Sequence, residues 1–213
     1  GTIALLKKQG YTAYTLILGE GKTSRPQYHA KKSPNKISSL NDLKKEALKA
    51  NTILGVKTVY FADLPDNKFD TVSLLSVAQI IEKYKEKLKP EIIFTHHFGD
   101  LNIDHQITYQ AVLTATRPMA KECVKDIFSF EVPSSTEWNL GNRAKSFQPN
   151  VFFDISSTIA IKIKAMAAYH SELKNYPHPR SLQHIKELAK VNGTKVGLNY
   201  SENFHLIRSI RSI

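Results

Sequence analysis

The pattern that most restricts the fold is an alternation. The runs "YTAYTLILGE" (11–20), "KTVYFADL" (57–64) and "EIIFTHH" (91–97) are rich in β-branched and aromatic residues. Each is followed by a stretch whose apolar residues recur at helical spacing, over 39–56, 71–90 and 104–118. In 71–90 the positions Leu74, Val77, Ala78, Ile81, Tyr84 and Leu88 share one helical face, and Pro90 stops the run. Gly10 and Gly55 stand where helices should end. Repetition of this kind predicts an α/β fold: a mostly parallel sheet with helices on both faces, in three layers. Two more strands are expected over 126–133 and 150–156, and two more helices over 157–176 and 180–193. There is no internal repeat and no low-complexity linker, so the 213 residues read as one domain, 1–213.

Open sheets of this type bind ligands at the carboxyl ends of their strands. Three polar segments leave those ends here, 19–36, 65–70 and 96–105. The last is the most unusual. "FTHHFGDLNIDHQIT" (94–108) crowds His96, His97, Asp100, Asp104 and His105 where a strand gives way to a helix. Imidazole and carboxylate suit zinc and similar divalent ions, and a helix N-terminus favours an anion. The same residues have a plain structural reading. Asp100, Asn102 or Asp104 would cap the helix, and the two adjacent histidines would be one core and one surface side chain. Residue types alone leave both readings open.

Other chemistries find less support. "GEGKTS" resembles a phosphate-binding loop, but that loop needs a glycine five positions before Gly21, where Leu16 stands. A G-x-S-x-G nucleophile elbow is absent. The single cysteine, Cys123, precludes an intrachain disulfide and fits a reducing compartment such as the cytoplasm. No apolar run approaches the ~20 residues that span a bilayer, and no signal peptide is visible. The formal net charge of +11 invites an anionic partner. Its lysines are spread along the chain and no nucleic-acid motif accompanies them, so a nucleic-acid partner is not expected.

Six blocks in order, "GTIALLKKQGY", "LILGEGKTSR", "FADLPDNKFD", "HHFGDLNIDH", "PNVFFDIS" and "PHPRS", span nearly the whole chain. Together they resemble the LmbE-like, GlcNAc-phosphatidylinositol de-N-acetylase family. The resemblance implies a Rossmann-like sheet and zinc-dependent hydrolysis of the N-acetyl group of an amino sugar or sugar conjugate, another divalent metal being an alternative. His105 matches the zinc-binding histidine that closes the family's His-x-x-His motif. Asn102 takes the place of the first histidine, which the family uses to steady the oxyanion. An amide can donate a hydrogen bond there but cannot deliver a proton as imidazolium does. The acid would then be His96, His97 or the base acting twice.

The family's His-Pro-Asp-Asp-Glu motif, with its other zinc ligands, its base and its first strand, has no counterpart between Gly1 and Ile213. The resemblance therefore implies an N-terminally truncated domain, inactive as it stands. A remnant without catalysis, or a binding module for a polyanion, is the alternative. Asp104 is expected to orient an imidazole or cap the helix. Substrate contacts are expected at Arg25, Asp66, Asn67, His97 and Arg180. Residues 21–36 hold Lys22, Arg25, Lys31, Lys32 and Lys36 and no acid, which suits a small anionic amino-sugar substrate. Oligomerisation is compatible with all of this.

Overall fold

The computed structural model describes residues 1–21, 40–141 and 143–211. The expected substrate contact Arg25, and the basic segment around it, lie outside the described residues. Contacts divide the chain into two compact units, 1–66 with 153–202 and 67–152 with 203–213.

In the first unit α1 (Thr2–Lys8) leads to β1 (Tyr14–Gly19), and α2 (Leu40–Leu54) to β2 (Thr58–Leu64). Gly10 and Gly55 take φ of +92° and +79° after the two helices, the left-handed ending expected of them. β1 and β2 pair in parallel, with Tyr14 opposite Thr58 and Ile17 opposite Phe61. Helices α5 (Ile159–Ala167) and α6 (Leu182–Thr194) complete the unit. Ala50, Ala165 and Ala168 form a small-residue core between α2 and α5, flanked by Ile53, Leu54 and Tyr169. Small side chains there let the two helices approach closely.

The helix expected over 157–176 is shorter, because α5 ends at Ala167. Just beyond it Ser171 donates both its N–H and its hydroxyl to Glu46 of α2. That long-range pairing gives the Ser171 N–H a partner outside the helical ladder.

The second unit carries α3 (Leu74–Leu88), β3 (Ile92–His96), α4 (Ile103–Ala115) and β4 (Asp126–Phe130). With β5 (Val151–Asp154) and β6 (Ser201–Ser209), the strands in which the chain passes between units, they form a sheet of order β3-β4-β6-β5. β3 and β4 are parallel, Ile92 opposite Asp126 and His96 opposite Phe130. α3 starts at Ser73, whose hydroxyl accepts the Ser76 N–H, and buries Val77, Ala78 and Ile81. It stops at Lys89, left-handed at φ 46°, one residue before Pro90.

Among the described strands the parallel pairs are those the alternation predicts. The antiparallel ladder of β4 with β6 is additional. Phe204 of β6 explains its register: its ring meets Phe94 at 5.0 Å, while Phe94 stacks on Phe128 at 5.2 Å.

Candidate functional site

β3 ends at His96, and a six-residue turn delivers the chain to the N-terminus of α4. Asn102 is the N-cap, its side-chain oxygen accepting the Asp104 N–H at 2.8 Å. This leaves the Asn102 amide nitrogen without a partner among the described residues, so capping and donation to a ligand are compatible. One residue into the helix, the carboxylate of Asp104 accepts the N–H groups of Asn67 (2.6 Å) and Phe69 (2.9 Å). The expected alternative of a helix cap at Asp104 is not met. The cap belongs to Asn102, and Asp104 ties the 67–69 turn to the start of α4. Asn67 is exposed, at a left-handed φ of 52°, and its backbone is what that tie holds.

Asp100 lies at the bottom of the turn, 0% exposed. It accepts hydrogen bonds from the Asn102 N–H (2.8 Å) and from the hydroxyls of Thr136 (2.6 Å) and Ser135. His105 Nδ1 lies 3.0 Å from its Oδ1. That distance is right for a hydrogen bond, but the ring is turned so that the N–H does not aim at the oxygen. Burial works to raise the Asp100 carboxyl, but His105, Ser135, Thr136 and the Asn102 amide outweigh it and hold it lowered to about 2. It is thus a carboxylate at any ordinary pH.

The ring of His96 stacks on that of His105, centroids 4.1 Å apart and planes 15° from parallel. Burial lowers the His96 imidazole to about 3, with His105 adding to the effect and Asp100 opposing it. A group held neutral in this way is a poor proton donor of the imidazolium kind, which argues against the expected acid role for His96.

His97 points inward and is 2% exposed. Its Nε2 pairs with the Lys145 carbonyl at 2.8 Å, and its ring packs on Phe98 and Phe147. Burial lowers its imidazole too. The structure thus places the expected substrate contact His97 in the core, as a brace for the 143–147 segment. Gly99 makes room for the same segment, since a Cβ there would meet the Lys145 carbonyl oxygen at 1.9 Å.

The remaining expected contacts are distributed differently. Asp66 is half-buried in the first unit. Arg180, also in the first unit, is paired with Glu172 at 2.5 Å, and its backbone N–H donates to His178 Nδ1 at 3.0 Å. The 94–108 stretch by itself did not reveal Ser135 and Thr136. The only signal for them was a Pro-Ser-Ser-Thr turn sequence after an expected strand.

The family described as PIG-L, GlcNAc-PI de-N-acetylase, matches residues 1–116, more than half of the chain. The chain belongs to this family. Solved structures share the fold of this de-N-acetylase family member at low identity. The N,N'-diacetylchitobiose deacetylase of Pyrococcus horikoshii is 17% identical, with a TM-score of 0.72 over 97% of this chain and 77% of that one. A deacetylase of the teicoplanin biosynthesis pathway is 16% identical, with a TM-score of 0.75 over 99% and 93%. The 4-carboxy-2-hydroxymuconate hydratase of Pseudomonas putida KT2440 is 18% identical, with a TM-score of 0.72 over 100% and 90%. One fold thus carries amide hydrolysis and water addition, so the reaction must be argued from the site. Among the described residues no helix is long and apolar enough to cross a membrane.

Proposed function

We propose that this family member is an N-deacetylase that hydrolyses the acetamide of an N-acetylated amino sugar or sugar conjugate. One observation carries the reading: His105, an imidazole at a strand-to-helix junction, is backed by the buried carboxylate of Asp100. Among the described residues no three His, Cys, Asp or Glu side chains gather as a metal site. The fit to zinc is therefore to one coordination position, at His105 Nε2, and the other ligands come from outside the described residues. Zinc bound there supplies a Lewis acid for the acetamide carbonyl. Asn102 caps α4 with its oxygen and donates its amide N–H to the developing oxyanion. A base outside the described residues takes the proton of the attacking water. The C–N bond breaks as the same base, acting a second time, returns the proton to the leaving nitrogen, giving acetate and the free amine.

We further infer an anionic substrate, with phosphate near the sugar gripped by Arg25, since guanidinium can hold phosphate in a bidentate fork. The Arg180 guanidinium already serves Glu172 and is a weaker candidate.

The test is acetate release by the full-length gene product from nucleotide-linked and free N-acetylglucosamine, with and without chelator. Release that the chelator abolishes, favours the nucleotide-linked sugar and loses that preference in Arg25→Ala supports the reading. Absence of acetate together with salt-dependent binding to generic DNA supports the polyanion-binding alternative. Hydration of an unsaturated acid in its place supports the chemistry of the hydratase fold relative.

A further inference from the structure

We propose that Asp100 is a positioning residue: it holds the His105 imidazole with Nδ1 toward itself, so that Nε2 is presented as a metal ligand. The inference rests on the reading of His105 as a zinc ligand, and it names the group that prepares that ligand.

Three observations support it. Asp100 is fully buried, yet among the described residues no lysine or arginine head group reaches it. Its partners are two hydroxyls, one backbone N–H and the imidazole. The His105 ring is held in plane by His96, stacked on its face at 4.1 Å. Finally, His105 is partly open to solvent, 20% exposed, and its Nε2 has no partner among the described residues.

A neutral imidazole binds a metal only through the nitrogen that lacks a proton. A carboxylate beside Nδ1 retains the proton there and frees the Nε2 lone pair. This carboxylate–histidine arrangement fixes both tautomer and orientation, and it raises the basicity of the ligand. In this structure Nδ1 already lies within hydrogen-bond distance of Oδ1, at 3.0 Å. The charge count agrees. With a neutral imidazole, the cluster keeps the net negative charge of Asp100, held by neutral donors, which a cation at Nε2 would balance.

The same carboxylate binds the hydroxyls of Ser135 and Thr136. Thr136 in turn accepts the Val132 N–H at 2.7 Å. Asp100 thereby couples the imidazole to the segment after β4. Ser135 and Thr136 anchor the carboxylate, while Asp100 alone touches the imidazole.

The experiment uses the full-length gene product with 15N-labelled imidazoles and no metal. Long-range 1H–15N spectra report which nitrogen of His105 carries the proton. In the unsubstituted protein we expect the Nδ1–H tautomer. Asp100→Asn keeps the shape and the acceptor, but its amide can present either oxygen or N–H₂ to the ring. We expect a mixed tautomer there, and zinc affinity lowered about 10- to 100-fold by calorimetry with zinc ion alone. Thr136→Val removes an anchor of the same carboxylate without touching the ring. We expect it to keep the tautomer and to change zinc affinity less than about threefold. If Asp100→Asn does not fold, Asp100→Glu replaces it, with the same expected loss from a displaced carboxylate.

An unchanged tautomer and zinc affinity in the Asp100 variant would overturn the proposal. So would a Thr136→Val variant that reproduces the whole effect, since the role would then be structural. A protein that binds no zinc in any form overturns the zinc reading of the site, and the tautomer measurement then decides the role of Asp100 by itself.

Discussion

In the second unit Asp100 is compensated by hydroxyls, a backbone N–H and an imidazole. In the first unit Glu202, whose side chain is 18% exposed, is compensated by an ammonium: Lys162 Nζ lies 2.7 Å from its Oε1, and the Thr2 N–H donates to its other oxygen at 2.6 Å. Burial works to raise the Glu202 carboxyl, but Lys162 and its other partners outweigh it and hold it far below the usual range. The two acids share an ionised state but differ in what surrounds it. A carboxylate closed against a lysine has its charge neutralised by that ammonium. One held by neutral groups keeps its charge and can polarise an imidazole. The first arrangement pins α1 to β6; the second prepares a ligand.

The largest effect that tests this contrast is expected at Lys162. Lys162→Met removes the side-chain ammonium from Glu202 and leaves it the Gly1 nitrogen and the Thr2 N–H, and breaking such a pair costs about 3 kcal/mol. Urea midpoints measure it. The His105 tautomer should not change, because this pair has no part in preparing the ligand. A stability loss near zero would show that its other partners or solvent, not Lys162, sustain the Glu202 charge.

Acid sharpens the same comparison. The folded Glu202 pKa lies below its ordinary value of 4.5. Its stabilisation is therefore fully present above about pH 4.5 and is lost as the pH falls toward the folded value. Glu202→Gln should cost about 2 kcal/mol at pH 7, less than Lys162→Met, because the amide oxygen still accepts hydrogen bonds. The difference from the unsubstituted protein should shrink steadily below pH 4.5. A difference that stays constant down to pH 3 would show that the Glu202 charge has no part in the stability.

Asp104 supplies a third kind of compensation, two backbone N–H groups. Asp104→Ala leaves the Asn67 and Phe69 amides without their acceptor and should cost about 2 kcal/mol. Amide exchange at those two residues should accelerate more than at Val77 or Ile81 of α3. Equal protection in both proteins would mean that the 67–69 turn is held by other contacts.

These contrasts also mark how far the sequence could be read. Helices such as α3 were legible because a 3.6-residue repeat, Ser73 at the start and Pro90 at the end are local signals. β6 was not, because "SENFHLIRS" has only weak alternation and its register depends on Phe94 and Phe128, distant in the chain. The 94–108 cluster was legible as chemistry, since its residue types are unusual together. Its division of labour was not. Asp100 finds its hydroxyl partners 35 and 36 residues away, and Asp104 finds backbone amides, which any residue supplies. The inward turn of His97 is set by the Lys145 carbonyl, another partner without a sequence signature.

The smallest stability effect is expected at Asn102, between the two aspartates. Its backbone N–H serves Asp100, its side-chain oxygen caps α4, and its amide nitrogen is the proposed oxyanion donor. Two variants separate the cap from the donor. Asn102→Ala removes both, and loss of the cap should cost about 1 kcal/mol. Asn102→Asp keeps an acceptor at the N-cap, and its negative charge suits a helix N-terminus. Its stability should stay within about 0.5 kcal/mol of the unsubstituted protein. It has no N–H to offer an oxyanion, so its kcat should fall by about 10²–10³, as much as that of Asn102→Ala. The pairing of restored stability with lost turnover is the signature sought. If Asn102→Asp recovers both stability and turnover, Asn102 is a helix cap alone, and the oxyanion must be met by another donor.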